Sequence, residues 1–155
     1  VFARTKHGTD RLAKKLSAAG VRAVAMHGDR TQNQRNQALA GFRDGRYRVL
    51  VATDVAARGI HVDSVAHVVN FDLPQTPDDF IHRVGRTGRA GQRGSASTFI
   101  SKSERGEVSR IERECKVRLL RRELSAALLS GFVEPPQPHA HHPHHRNVGA
   151  RSGRR

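Results

Sequence analysis

The chain has 155 residues, enough for one domain with a single buried core. Its composition is ordinary at 36% hydrophobic, but 28 Lys and Arg against 14 Asp and Glu leave a formal net charge of +14. That charge points to a polyanionic partner, and nucleic acid fits best because the basic residues are spread along the chain. Arg146, Arg151, Arg154 and Arg155 near the C-terminus account for only part of it. The single cysteine, Cys115, excludes a disulfide framework and a thiolate metal cluster. No apolar run approaches the ~20 residues of a membrane span, and no secretory signal opens the sequence, so a cytoplasmic or nucleoid-associated protein is expected.

The chain opens without Met on the apolar triplet Val1-Phe2-Ala3, which reads as a strand entered part-way and the sequence as a piece of a longer protein. Thr9 is expected to cap a helix carrying Leu12, Ala13 and Leu16 and ending at Gly20. Val21 to Met26 alternates as a short strand. Thr31-Gln32-Asn33-Gln34 has the form of a capping box, after which Arg35, Ala38, Leu39 and Phe42 follow at helical spacing, and Asp44-Gly45 makes a turn. Tyr47 to Ala52 is apolar on both faces, as a central parallel strand requires.

A short helix is expected at Val55 to Arg58 and a strand at Ala66 to Phe71. Thr76-Pro77-Asp78-Asp79 opens the next helix, with Pro at its first position and acids in its first turn. Ser95 to Ile100 reads as a strand. One or two helices follow from Ser103 to about Leu129, packed on the sheet, with the charges of the basic run Lys116 to Arg122 in solvent. Strand–helix alternation of this kind gives an α/β domain, a mostly parallel sheet covered on both faces. Residues 1–132 form that domain. Residues 133–155 are rich in Pro, His, Arg and Gly and lack the apolar residues to order themselves. This tail carries half of the ten histidines (His139, His141, His142, His144, His145), which suit a solvated segment better than a metal site.

In open parallel sheets ligands sit at the carboxyl ends of strands, and four polar segments fall there: Arg4-Thr5-Lys6, His27-Gly28-Asp29 with Gln32 and Arg35, Thr53 to Gly59, and His82 to Arg89. Gln32 and Arg35 share the first turn of a helix, where free N–H groups and the helix dipole favour an anion; a solvated helix start has the same sequence. Thr53 and Asp54 bring a hydroxyl and a carboxylate to a strand end, followed by small residues and Gly59 that allow close approach; an ordinary tight turn would look alike. If the helix from Pro77 persists, His82, Arg86 and Arg89 line one face at i, i+4 and i+7, with Gly85 and Gly88 leaving it unobstructed. Two guanidiniums so placed can neutralise charge on a transferring γ-phosphoryl group.

Together these segments resemble the motif series of DEAD-box helicases of superfamily 2 over roughly residues 1–100. VFARTK resembles motif IV, HGDRTQNQR the region with the Q-x-x-R element, VLVATDVAARGI motif V and HRVGRTGRAG motif VI. The resemblance implies a three-layer RecA-like domain, the second of two in an ATP-dependent RNA helicase. It implies RNA-backbone contacts from Thr5, Gln32, Arg35, Thr53, Arg58 and the Gly28 amide, with little sequence preference and the 2′-hydroxyl marking RNA. Arg86 and Arg89 would be arginine fingers toward ATP and Mg2+ held mainly by an N-terminal RecA-like domain, with His82 coupling the nucleotide to the RNA. Gly59, His61 and Asp63 would lie near the nucleotide. His61 departs from the family, which has Asp there against the ATP ribose, so altered ribose recognition is expected, with Asp63 two residues on.

Beyond Ile100 the resemblance fades, and the tail is expected to add salt-dependent RNA affinity. Two other readings remain: a stand-alone basic RNA-binding module, and a fragment of a superfamily 2 DNA translocase. No Walker lysine, magnesium ligand or water-orienting base is evident, so no ATPase is expected from the fragment by itself.

Overall fold

The computed structural model describes residues 1–58, 62, 65–88 and 93–123. Within it, Val1–Leu119 forms one compact unit. The elements run α1 (Lys6–Ala18), β1 (Ala23–Met26), α2 (Gln32–Arg43), β2 (Val49–Ala52), α3 (Asp54–Ala57), β3 (His67–Asn70), α4 (Pro77–Val84), β4 (Ser95–Thr98), a 3₁₀ turn (Lys102–Glu104) and α5 (Arg105–Cys115). The strand–helix alternation expected from sequence is present, and the tail lies outside the described residues.

The strands pair in parallel, β1 with β2 in register Ala23↔Val49 to Met26↔Ala52, and β3 with β4 in register His67↔Ser95 to Asn70↔Thr98. Residues 1–3 join the two pairs. Phe2 bridges in parallel to both Ala52 and Asn70, its N–H donating to Val69 O at 2.7 Å while the Ala3 N–H donates to Ala52 O at 3.0 Å. The order across the sheet is therefore β1, β2, residues 1–3, β3, β4, all parallel.

Period-2 alternation sorts the strand residues to two faces. Ala3, Ala23, Ala25, Val49 and Val51 pack with Ala13, Leu12 and Leu16 of α1. Phe2, Met26, Ala52 and Val68 pack with Ala56 and Ala57 of α3. The Arg35 guanidinium of α2 donates to Ala56 O at 3.2 Å, which places α2 beside α3 and opposite α1. A third cluster, Leu73, Phe80, Val108 and Ile111, joins α4 to α5.

Local chemistry explains the boundaries. The Thr31–Gln34 capping box is present, the Asp44-Gly45 turn places Gly45 at φ 72°, and Thr76 caps α4 ahead of Pro77. At α1 the cap is Thr5, whose hydroxyl oxygen accepts from the Gly8 N–H at 3.0 Å. Thr9, expected as the cap, is instead buried one turn inside, its hydroxyl donating to Thr5 O at 2.8 Å. Both threonines match the cap pattern; the strand ending at Ala3 decides between them by delivering the chain to α1 four residues earlier.

The helix expected to run on from Ser103 stops at Cys115, where Lys116 adopts φ 53°. Residues 117–123, including the basic run, are not helical, and α5 packs on α4 through the third cluster instead of on the sheet. The Glu112 carboxylate, accepting from the Leu119 N–H at 2.9 Å, folds the chain back over the helix end.

Among the described residues, one arginine lies in the core. Arg83 is 2% exposed, yet its Nε and Nη2 donate to the two Asp54 oxygens at 2.6 and 2.7 Å. Nη1 donates to Asp72 O at 2.7 Å and Asn70 Oδ1 at 3.3 Å, and the guanidinium stands 5.1 Å over the Phe2 ring. Removing one partner of such a pair leaves an uncompensated buried charge. Arg83→Met is expected to destabilise the domain by about 3–5 kcal/mol in urea unfolding, with part of the loss recovered by adding Asp54→Asn. A single variant as stable as the parent would show that Arg83 is not structural.

Candidate nucleic-acid and nucleotide interface

The carboxyl ends of the parallel strands bring five of the sequence-predicted site residues to one edge: Thr5 follows residues 1–3, Gly28 follows β1, Gln32 and Arg35 open α2, and Thr53 opens α3. Arg58 at the far end of α3 and His82 and Arg86 at the end of α4 lie together beside these helices, with Thr87 bridged to Val65 ahead of β3. Gly59, His61, Asp63 and Arg89 lie outside the described residues.

Thr5 and Gly28 are held together by α1. The loop carrying Gly28 is tied to that helix at three points. Lys6 pairs with Asp29 at 2.7 Å, the Asp10 carboxylate meets His27 Nε2 at 3.0 Å, and Arg30 meets it at 2.6 Å. His27 is 4% exposed. Burial pushes the Asp10 carboxyl up, but hydrogen bonds from His27 and Arg30 outweigh it and hold the group below the usual carboxylate range. The Lys6 ammonium likewise holds Asp29 low.

Gly28 itself is unconstrained by the fold. Its φ is not in the left-handed region, where only Gly20, Gly45 and Gly88 among the described glycines lie. A Cβ built on it meets nothing within 4 Å. Neither backbone conformation nor packing among the described residues demands glycine here.

In the first turn of α2, Gln34 N and Thr31 N are consumed by the capping box. Gln32 turns to Asn36 at 2.9 Å and to Arg35 at 3.4 Å. Arg35 reaches across to Ala56 O, and its Nε is buried without a partner among the described residues. Thr53 stands at the N-cap of α3 but makes no capping hydrogen bond with its side chain, leaving that hydroxyl for another acceptor or donor. Arg58 is exposed at the other end of the same helix.

Motif VI departs from the expected face. The helix does not persist to residue 89: α4 ends at Val84 with Gly85 as C-cap. The Arg86 and Thr87 N–H groups close a tighter turn onto Arg83 O and Val84 O at 3.1 and 3.0 Å, and Gly88 reverses the chain at φ 67°. Gly88 therefore makes a turn and Gly85 ends a helix; neither serves to clear a helical face. His82 and Arg86 nevertheless stay together, Arg86 Nε donating to His82 O at 3.3 Å. The Thr87 hydroxyl bonds to Val65 O, and Gly94 lies so close to Thr87 and Gly88 that a Cβ there would collide with both. The turn is thereby fastened to the start of β4.

Arg58, His82, Arg86, the Arg83–Asp54 pair and the Asp79 carboxylate line one open cleft between α3 and α4, so the cations Arg58 and Arg86 outnumber the one carboxylate there that has no cationic partner among the described residues. Sequence reasoning assigned no role to Arg83. The signal was present: Arg83 lies three residues after Phe80, on the buried stripe of α4, where an ordinary surface arginine would not be placed. With Asp54 neutralised inside the pair, the cations of this wall suit a phosphate. No described residue set supplies a group of three or more metal-ligating side chains.

A parallel α/β domain with its polar loops at the strand ends is the RecA-like class, and the helicase conserved C-terminal domain model matches residues 1–91. The chain belongs to that family, as the C-terminal RecA-like domain of a DEAD-box helicase. It is 47% identical over 137 residues, 88% of its length, to the DEAD-box ATP-dependent RNA helicase CshA of Bacillus cereus, and 51% identical over 116 residues, 75% of its length, to CshA of Bacillus subtilis. It spans about a quarter of those relatives, 26% and 24%. Among solved structures it is similar to a DEAD box protein from the hyperthermophile Methanococcus jannaschii, with TM-score 0.72 and 43% identity over 76% of this chain and 32% of that one. It is also similar to S. cerevisiae Dbp5 bound to RNA and ADP BeF3, with TM-score 0.68 and 39% identity over 72% of this chain and 30% of that one.

The depressed Asp10 carboxyl gives a pH test with a defined sign. A carboxylate lowered on folding contributes stability that is full above its unfolded value, about 3.9, and is lost as pH falls through the folded value. Asp10→Asn is expected to lower stability at neutral pH and to approach the parent as pH drops below about 3.9. A deficit constant across that range in urea unfolding would count against the His27–Asp10–Arg30 network.

Proposed function

We propose that this chain is the half of an ATP-dependent RNA helicase that holds one side of the RNA backbone and completes the nucleotide site. Thr5, Gly28, Gln32, Arg35, Thr53 and Arg58 face the sugar–phosphate backbone, and contacts of that kind carry little base preference. His82 and Arg86, with Arg89, face the phosphates of a nucleotide whose other contacts come from an N-terminal RecA-like domain. Gly59, His61 and Asp63 border its sugar, with His61 in the place where the family has Asp.

The observation that carries this reading is the Arg83–Asp54 pair. It joins α3, which bears Thr53 and Arg58, to α4, which bears His82 and Arg86, through two charge-assisted hydrogen bonds. RNA-facing and nucleotide-facing groups are therefore parts of one rigid wall, so a movement that brings Arg86 to a phosphate also moves Arg58. ATP with Mg2+ supplies the phosphoryl group whose transfer to water drives the cycle. The part of this chain is to place guanidiniums against the charge that develops. Local duplex separation follows from closing two such walls on one bent strand.

Three outcomes are expected in the complete protein. Arg86→Gln should lower RNA-stimulated ATP turnover by about 10³-fold or more while leaving single-stranded RNA affinity nearly unchanged. Gly28→Ala should leave the unfolding midpoint unchanged or slightly raised, by up to about 1 kcal/mol, and weaken RNA binding. The 155-residue chain by itself should show no ATPase; turnover by the purified piece, or normal turnover of Arg86→Gln, would refute the proposal.

A further inference from the structure

At the opposite end of the sheet, the amino ends of β1 and β2, a second basic surface forms. Arg22 immediately precedes β1 and Arg48 immediately precedes β2. The strands are already paired there, the Arg48 and Val49 N–H groups donating to Arg22 O at 2.8 and 3.1 Å. One step along the ladder, Ala23 and Val49 point to the α1 face. Alternation therefore sends Arg22 and Arg48 together to the α2 face, on neighbouring strands about 4.8 Å apart. Arg43, in the last turn of α2, and Arg46, in the turn that follows and leads directly to Arg48, are exposed. That turn is rigid: Tyr47 N–H donates to Gly41 O at 2.8 Å, and a Cβ on Gly41 would lie 2.7 Å from the Tyr47 ring.

Helix dipoles explain some of this charge, since a cation in a last turn, such as Lys15 of α1 or Arg43 of α2, offsets the carbonyl end. They do not explain Arg22 and Arg48, which sit just ahead of strands and end no helix. Like charges side by side on a ladder are destabilising, and neither guanidinium has an ion pair or side-chain hydrogen bond among the described residues. The nearest acid in the sequence, Asp44, pairs with Arg46 at 3.5 Å. Folding pays for this juxtaposition without an internal return.

We propose that the Arg22–Arg48 pair, flanked by Arg43 and Arg46, is a second RNA-docking surface that takes backbone phosphates of RNA lying outside the helicase cleft. Four arginines and no lysine suit phosphate oxygens, which the guanidinium fork meets with two parallel bonds. β1 and β2 are four residues each, so roughly 13 Å of strand separates this surface from Gly28 and Thr53. A phosphate held by those residues is not the one held here. The proposal rests on the reading that this protein handles RNA, but not on which residues line the cleft.

The test is binding of a fluorescent single-stranded oligouridylate to the complete protein between about 50 and about 200 mM salt. Arg22→Gln with Arg48→Gln should flatten the slope of log affinity against log salt by about 1.4, the share of two phosphates on a single strand, and should raise the unfolding midpoint slightly by relieving the repulsion. Arg22→Lys with Arg48→Lys should keep the parent slope. Arg58→Gln is the cleft control: its loss should add to that of the Arg22/Arg48 pair. If Arg58→Gln alone has no effect, the cleft assignment fails while the slope still reports on this surface. An unchanged slope in the Arg22→Gln, Arg48→Gln protein overturns the proposal, as does a weaker affinity at constant slope, and an acidic protein then becomes the partner to seek.

Discussion

A guanidinium removed from water costs several kcal/mol unless its donors are met, and the domain is organised around the place where Arg83 meets this condition. Arg83 spends its N–H groups on the Asp54 carboxylate, the Asn70 side chain and the Asp72 carbonyl, and lays its flat face on Phe2. Those partners come from α3, from the end of β3 with the loop that follows it, and from residues 1–3, which are three separate stretches of chain. Apolar packing of the same volume would hold them together as well. What the ionic solution adds is direction: the pair fixes α4 against α3 in one orientation, and with it the relative positions of His82, Arg86, Thr53 and Arg58. Geometry at the cleft thus depends on a residue that itself faces away from solvent.

The loop with Gly28 follows the same logic with weaker bonds. It has no apolar anchor of its own, being polar from Gly28 to Asn36, so its position comes from α1 through Lys6, Asp10, His27 and Arg30. Exposed ion pairs of this sort contribute little singly. His27 changes the balance, because its burial at 4% exposure makes its contact with Asp10 costly to break. α1 also begins at Thr5, so one helix sets two of the residues assigned to RNA. Thr5 serves both ends, since its oxygen accepts from the Gly8 N–H while its own O–H is still able to donate.

Much of this was legible in the sequence because its signals are local. The capping box at Thr31, the Pro77 helix start, the Gly45 turn and the apolar strand ending at Ala52 each follow from neighbouring residues, and the structure agrees within a few positions. Thr5, Gly28, Gln32, Arg35 and Thr53 also fell at the carboxyl edge, as parallel topology requires, whereas the segment from His82 runs on to Thr87 beside Val65, ahead of β3. Features set by distant contacts were not legible. Thr9 and Thr5 are equivalent as caps until residues 1–3 take their place in the sheet. The extension of α4 toward Arg89 was read from spacing, but Gly88 and the docking of Thr87 on Val65 end it. Arg83 was hidden by its setting among the conspicuous basic residues of its motif, and its partner Asp54 lies 29 residues earlier.

The sign of the cleft follows from where the carboxylates go. Acids are not scarce at this end of the sheet: Asp10, Asp29, Asp54, Asp72 and Asp79 all lie near the strand ends. Each is turned to an internal donor. Asp10 takes His27 and Arg30, Asp29 takes Lys6, Asp54 takes Arg83 and Asp72 takes the Arg4 N–H at 2.7 Å. Asp79 takes the Thr76 hydroxyl at 2.8 Å at the start of α4, where the helix dipole also favours it. Negative charge is thus consumed in holding loops and helices, whereas Arg58 is left facing solvent and Arg86 borders the same cleft. A surface that must attract phosphates could be made by omitting acids. Here the acids are kept, and three of these five, Asp10, Asp29 and Asp54, meet an internal cation, so residues that fix the shape of the wall also offset much of its negative charge.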